Sequence, residues 1–177
     1  MLESVLRQAG YKTALYTSPH LYAFNERITV GGTQISDDLL GLYVGEIRTV
    51  CEKNAIQPTF FEFTTALAFL HFSKSDMDIA VIEVGMGGRH DATNVITPLV
   101  SVITNVGLDH MDFLGTTKQE IAKEKAGIIK EGVPVITAEE DKAILDIFYQ
   151  EAQERHTSVI LVQDIVNTAI ISSGLSG

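Results

Sequence analysis

Glu83, His110 and Lys125 are the residues whose types and positions could carry chemistry. Glu83 is the only charge in the run IAVIEVG (79–85), near the end of an apolar, β-branched stretch. In an open parallel sheet, ligands bind outside the carboxyl ends of the strands. A buried carboxylate there is costly unless a cation or hydrogen bonds compensate it, so Glu83 reads either as a metal ligand or as a carboxylate satisfied by the glycine-rich amides of residues 85–88. His110 follows the run LVSVIT (99–104) by a few residues, which brings it to the same sheet edge if the two strands are neighbours; the alternative is an ordinary structural histidine. Asp109 and Asp112 add carboxylates nearby, although acidic loop residues are usually just solvated. On a helix Lys125 lies about 40° from Ile121 and about 60° from Ile128, on the apolar stripe, while Lys123 and Lys130 point elsewhere. It either snorkels its ammonium past the helix edge or is placed for chemistry, as a shifted or modified amine.

The loop GMGGRHDATN (85–94) has three glycines in four residues followed by Arg89, a composition suited to close backbone approach and anion contact. It does not fit G-x-G-x-x-G, and G-x-x-x-x-G-K-[ST] occurs nowhere in the chain. With 177 residues, 45% hydrophobic and 20% charged, the chain is long enough for one core and too apolar for a disordered tail. The 13 Lys and Arg against 23 Asp and Glu, a net charge of -10, argue against a nucleic-acid partner. A single cysteine, Cys51, forms neither an internal disulfide nor a thiolate zinc site and reads as a small core residue. No run reaches membrane-spanning length and the N-terminus lacks a signal-peptide pattern, so the expectation is a cytoplasmic protein without membrane contact.

These residues must be positioned by alternating strands and helices. Leu2, Val5, Leu6 and Ala9 predict a helix over 1–10 with no capping residue before it. KTALYT (12–17) predicts a strand, and Gly31-Gly32 a hairpin turn in NERITVGGTQIS. Ser36 caps a helix over 37–53, and Pro58 precedes a helix in FFEFTTALAFLHF, apolar on nearly every side and therefore buried. Strands follow at 79–84 and 99–104. Thr117 and Glu120 form a capping box opening a helix to about 130. VPVITA, EEDKAILDIFYQEAQERH and SVILVQ continue as strand, helix, strand, and residues 165–177 read as a frayed or truncated tail. The fold class is α/β: three layers, a mostly parallel sheet with helices on both faces.

The motifs TSPHL (17–21), FNERI (24–28), FFEFTT (60–65), EVGMGGRHDATN (83–94), TNVGLDH (104–110) and KEKAGIIK (123–130) together resemble the folylpolyglutamate synthase and dihydrofolate synthase family, of the Mur ligase superfamily. The resemblance spans residues 1–164, and TSPHL, GGR-x-DATN and GLDH together are far more specific than any glycine motif alone. It implies a P-loop-type central ATPase domain and an ATP-dependent amide ligase. A folate or dihydropteroate carboxylate takes the γ-phosphoryl group of ATP, and the amine of L-glutamate attacks the acyl phosphate. It further implies Mg2+, held by Glu83 and His110, and a carbamylated Lys125 near a second magnesium. Thr59, Phe60, Phe61 and Glu62 match one segment of the family's pterin site and His90, Asp91 and Ala92 a second; core packing is the competing reading of Phe60 and Phe61. Ser18 and His20 fall in an active-site loop.

The family's phosphate loop would lie just before Met1 and its C-terminal ligase domain beyond Gly177, so the expectation is a partial ATPase domain, truncated at both ends and weak or inactive alone. Two other functions fit parts of the pattern. One is a different Mur-type ligase acting on a UDP-linked precursor; the other is a non-catalytic folate-binding module or degenerate fragment.

Overall fold

The computed structural model describes residues 1–166, and the chain divides into two units, Met1–Met86 with Asp91–Val95, and Gly87–His90 with the chain from Ile96 onward. The predicted tail lies almost wholly outside the described residues; of it only the end of a short helix, Val162–Ile165, is seen.

In the first unit, helix α1 (Leu2–Gln8) leads into strand β1 (Thr13–Tyr16), and the hairpin strands β2 (Ile28–Val30) and β3 (Thr33–Gln34) follow. Gly31 and Gly32 have φ of 59° and 80°, the left-handed pair a two-residue hairpin turn requires. Helices α2 (Asp37–Lys53) and α3 (Phe60–Ser73) then cross over to β4 (Ile79–Ile82), which pairs in parallel with β1 in the sheet order β3-β2-β1-β4. The start of α2 is as expected: the Leu39 N–H donates to Ser36 Oγ at 3.3 Å. The core gathers Tyr16, Ile28, Tyr43, Leu67 and Phe72 between the sheet and the two helices.

The apolar stripe of α1 is not its buried face: Leu2 and Val5 are exposed, while Glu3 is 8% exposed, accepting from Thr13 Oγ1 at 2.5 Å and Arg7 Nε at 3.1 Å. Helix α3 is buried as expected through Thr64, Thr65, Leu67, Ala68, His71 and Phe72, with Phe61, Phe63, Phe69 and Leu70 partly buried against the same core, while Phe60 is exposed. Periodicity reports which face is apolar, and a short helix beside a strand can bury a carboxylate once donors from that strand satisfy it. Cys51 is likewise half-buried, lining a groove of about 520 Å³ with Arg48, Pro58 and Phe63 rather than filling the core.

His71 is buried between Tyr43 and Phe72, and its Nδ1 has no hydrogen-bond partner among the described residues. Burial pushes its pKa below the ordinary 6.5. Below that pH the unfolded chain binds a proton that the folded chain refuses, so stability is full above about 6.5 and falls on acidification until the depressed folded pKa is reached. Unfolding free energies from denaturant titrations, taken from pH 7.5 down to 5, are expected to decline by at most about 1.4 kcal/mol per pH unit from this group. His71→Leu is expected to flatten that part of the profile.

In the second unit, strands β5 (Ser101–Ile103), β6 (Val135–Thr137) and β7 (Val159–Leu161) form an all-parallel sheet in that order. Helices α4 (Met111–Leu114) and α5 (Lys118–Ala126) connect β5 to β6, and α6 (Lys142–Glu154) connects β6 to β7, before α7 (Val162–Ile165). The Thr117 and Glu120 capping box is present, with Glu120 N–H donating to Thr117 Oγ1 at 3.2 Å and Thr117 N–H to Glu120 Oε2 at 3.0 Å. Helix α5 stops at Ala126, earlier than predicted. Ile121, Ala126, Ile129, Val135, Ile144 and Phe148 build the core. The α/β class with parallel pairing is as expected, but the strands form two sheets rather than one. No pairing joins β4 to β5 among the described residues.

Candidate active site

Glu83 lies one residue past β4, with its N–H donating to Tyr16 O at 2.9 Å. It is exposed, not buried as its apolar surroundings suggested, because the strand ends at Ile82. The Ser18 N–H donates to its Oε2 at 2.7 Å, and among the described residues the amides of residues 85–88 make no bond to it. Ser18 thus stands beside Glu83 on the loop after β1.

The same loop contains residues that spacing alone did not single out. Arg27 is 8% exposed, donates from Nε to His20 Nδ1 at 2.9 Å, and lies 5.8 and 5.7 Å from the ring centroids of Phe24 and Phe60. Phe60 is therefore an exposed ring stacked by a guanidinium, whereas Phe61 packs on Tyr16 at 6.0 Å, the core reading. Glu26 accepts from the amides of Leu21, Tyr22 and Ala23 at 2.8, 3.0 and 2.8 Å, and those bonds hold its carboxyl below the usual range. Neither Glu26 nor Arg27 carried a spacing signal: alanine at position 23 has no side-chain acceptor for a capping box, and the partners of Arg27 are set by tertiary contacts.

Thr59 and Glu62 are engaged with each other. Thr59 N–H donates to Glu62 Oε2 at 2.7 Å, Glu62 N–H to Thr59 Oγ1 at 3.2 Å, and the Thr59 bonds lower the Glu62 pKa. Their side chains cap α3, and Thr59, Phe60 and Glu62 are all exposed. Asp91 accepts from Met86 N–H at 2.9 Å and from Thr93 N–H and Oγ1 at 2.9 and 2.5 Å, closing the glycine loop and starting the 3-10 turn Ala92–Val95. Ala92 is half-buried and His90 is exposed.

In the second unit, Gly88 packs on the last turn of α5 so closely that a Cβ would lie 2.6 Å from Glu124 O. Arg89 donates from its N–H to Glu124 O at 2.8 Å and from Nη2 to Glu151 Oε2 at 3.3 Å. One anion that Arg89 meets is thus a side chain of α6. Lys125, on the same turn of α5, is half-buried between the exposed Lys123 and the buried Ala126, and its Nζ has no hydrogen bond or ion pair among the described residues.

His110 is exposed, with φ 49° and ψ 40°, and its carbonyl accepts the Phe113 and Leu114 amides that start α4. Its Nε2 lies 3.7 Å from Asp109 Oδ2, and the Asp109 side chain is itself largely exposed, in keeping with a solvated carboxylate. Asp112 lies in the first turn of α4. The loop bearing His110 is fastened by Glu139, which sequence reasoning passed over. Glu139 is 7% exposed; burial raises its pKa, but the amides of Asp141, Val106 and Glu140 outweigh this and hold the carboxyl below the usual range.

Glu83 offers an exposed carboxylate with one oxygen unengaged by the described residues, a donor that suits a hard cation. No group of three or more His, Cys, Asp or Glu capable of holding a metal forms among the described residues. Magnesium does not require one, since it uses one or two carboxylates and completes its shell with water and phosphate oxygens. No helix among the described residues is long and apolar enough to cross a membrane.

The sequence matches the Mur ligase middle domain over residues 24–171. It is 45% identical over 162 residues to the dihydrofolate synthase/folylpolyglutamate synthase of Bacillus subtilis, covering 89% of this chain and 37% of that protein. Among solved structures, an FPGS-AMPPCP complex has a TM-score of 0.86 at 41% identity, covering 90% of this chain and 41% of that one. E. coli FolC in complex with DHPP and ADP has a TM-score of 0.85 at 36% identity, covering 90% of this chain and 38% of that one. The chain therefore spans well under half the length of these relatives.

Proposed function

The chain belongs to the Mur ligase middle-domain family, and we propose that it works within an ATP-dependent ligase adding L-glutamate to folates or dihydropteroate in the cytoplasm. Residues 1–164 are read as part of the central ATPase domain. The observation that carries the proposal is the close likeness, over nine-tenths of the chain, to proteins named for that synthesis.

In such a reaction a substrate carboxylate oxygen attacks the γ-phosphorus of ATP, expelling ADP and leaving an acyl phosphate. The glutamate amine then attacks the carbonyl, the amide bond forms, phosphate leaves and the amine gives up a proton. The protein's work is positioning and charge stabilisation. Glu83 and His110 would hold magnesium, which when bound neutralises charge on the transferring phosphoryl group. The Ser18 N–H orients the Glu83 carboxylate, and Asp109 faces the His110 imidazole. A carbamylated Lys125 would supply an anionic oxygen pair to a second magnesium. Phe60, stacked on Arg27, presents an aromatic face suited to a pterin ring, with His90, Asp91 and Ala92 as the second pterin segment. No G-x-x-x-x-G-K-[ST] cradle for the triphosphate is among these residues.

The test is ADP release by the complete protein carrying this chain. Release that requires magnesium, glutamate and either dihydropteroate or a folate is expected. Release only with a UDP-linked acid would transfer the chain to another Mur-type reaction, and folate binding without any ATP turnover would make it a binding module.

A further inference from the structure

We infer that Glu139 is a positioning residue, whose carboxylate clamps the root of the loop that carries His110. The functional half of this inference rests on the reading of His110 as a magnesium ligand. Both carboxylate oxygens of Glu139 are used by backbone donors: Val106 N–H donates to Oε2 at 2.7 Å, and Glu140 and Asp141 N–H donate to Oε1 at 3.0 and 2.9 Å. Val106 itself is 5% exposed and packed in the core, so this residue is held by both its amide and its side chain. Two residues earlier, the carbonyl of Thr104 accepts from Thr137 Oγ1 at 2.9 Å and from Ala138 N–H at 3.2 Å. The loop after β5 is thus fastened at 104 and 106 from the carboxyl end of β6, and residues 107–110 beyond the clamp are exposed.

Capping α6 does not account for this arrangement. Asp141 is the N-cap of α6, and its own carboxylate accepts Ala143 N–H at 2.9 Å, so the helix start is served without Glu139. What Glu139 alone supplies is the bond across 33 residues to Val106. The clamp also needs a carboxylate rather than only its shape. Three donors converge on two acceptor oxygens; a carboxamide would lose one of those oxygens and aim an N–H at an N–H.

Hydrogen exchange of the complete protein, read by mass spectrometry, tests the clamp without any assay. In Glu139→Gln, the segment 104–110 is expected to exchange about tenfold faster while β1 and α3 are unchanged, and the magnesium concentration for half-maximal turnover to rise about tenfold. Glu139→Asp keeps the charge but is one methylene short of Val106, so it is expected to loosen the same segment with less loss of stability, and it serves if the Gln variant does not fold. Unchanged exchange at 104–110 in a folded variant overturns the clamp. Faster exchange with an unmoved magnesium requirement, in a protein that His110→Ala inactivates, overturns the positioning role. Full turnover in His110→Ala would instead overturn the reading of His110, and the exchange result would still decide the clamp.

Discussion

Replacing Glu83 by alanine in the complete protein is expected to lower magnesium-dependent ADP release by about a thousandfold, the several kcal/mol of charge stabilisation that a bound metal contributes. The fold is expected to survive, because Glu83 is exposed and its carboxylate makes one hydrogen bond, to the Ser18 N–H. That bond defines the competing explanation, in which Glu83 serves only to hold the loop after β1. Glu83→Gln separates the two. Its amide oxygen still accepts from Ser18, so a purely structural role predicts near-normal turnover, whereas loss of the negative charge predicts a collapse close to that of alanine. A fully active Gln variant with an unshifted magnesium requirement would remove the metal assignment.

Lys125→Met is expected to cost about a hundredfold in turnover with little change in stability. Methionine retains the apolar stem that packs beside Ala126, and the amine it deletes makes no ion pair or hydrogen bond among the described residues. A side chain that contributes little to stability and yet is needed for turnover acts through its chemistry. In the proposed chemistry the ammonium first gives up one proton, and the neutral amine then adds carbon dioxide and releases a second, so that a cation becomes a carbamate anion with two oxygens. Carbon-13 NMR of protein equilibrated with labelled bicarbonate is expected to show a carbamate resonance that is absent in Lys125→Met. Full activity in that variant, with no such resonance in the wild type, would reduce Lys125 to a snorkelling surface amine.

Much of this protein was legible residue by residue wherever the deciding partner lies within one turn of chain. Ser36 and Leu39, Thr117 and Glu120, and the left-handed pair Gly31-Gly32 are local arrangements, and each forms as its spacing predicts. The apolar runs likewise mark the strands, because burial on both faces selects β-branched residues. What the tertiary structure alone decided concerns polar groups whose partners come from far along the chain. Glu3 is buried because Thr13 reaches it, Arg27 because His20, Phe24 and Phe60 surround it, and Glu139 because Val106 turns its amide inward. Glu83, within an apolar run, is exposed and bonded to Ser18, 65 residues away. A buried or oriented charge is stable only with its donors in place, and which donors arrive is a property of strand order and loop closure, which the spacing of residues along the chain does not encode.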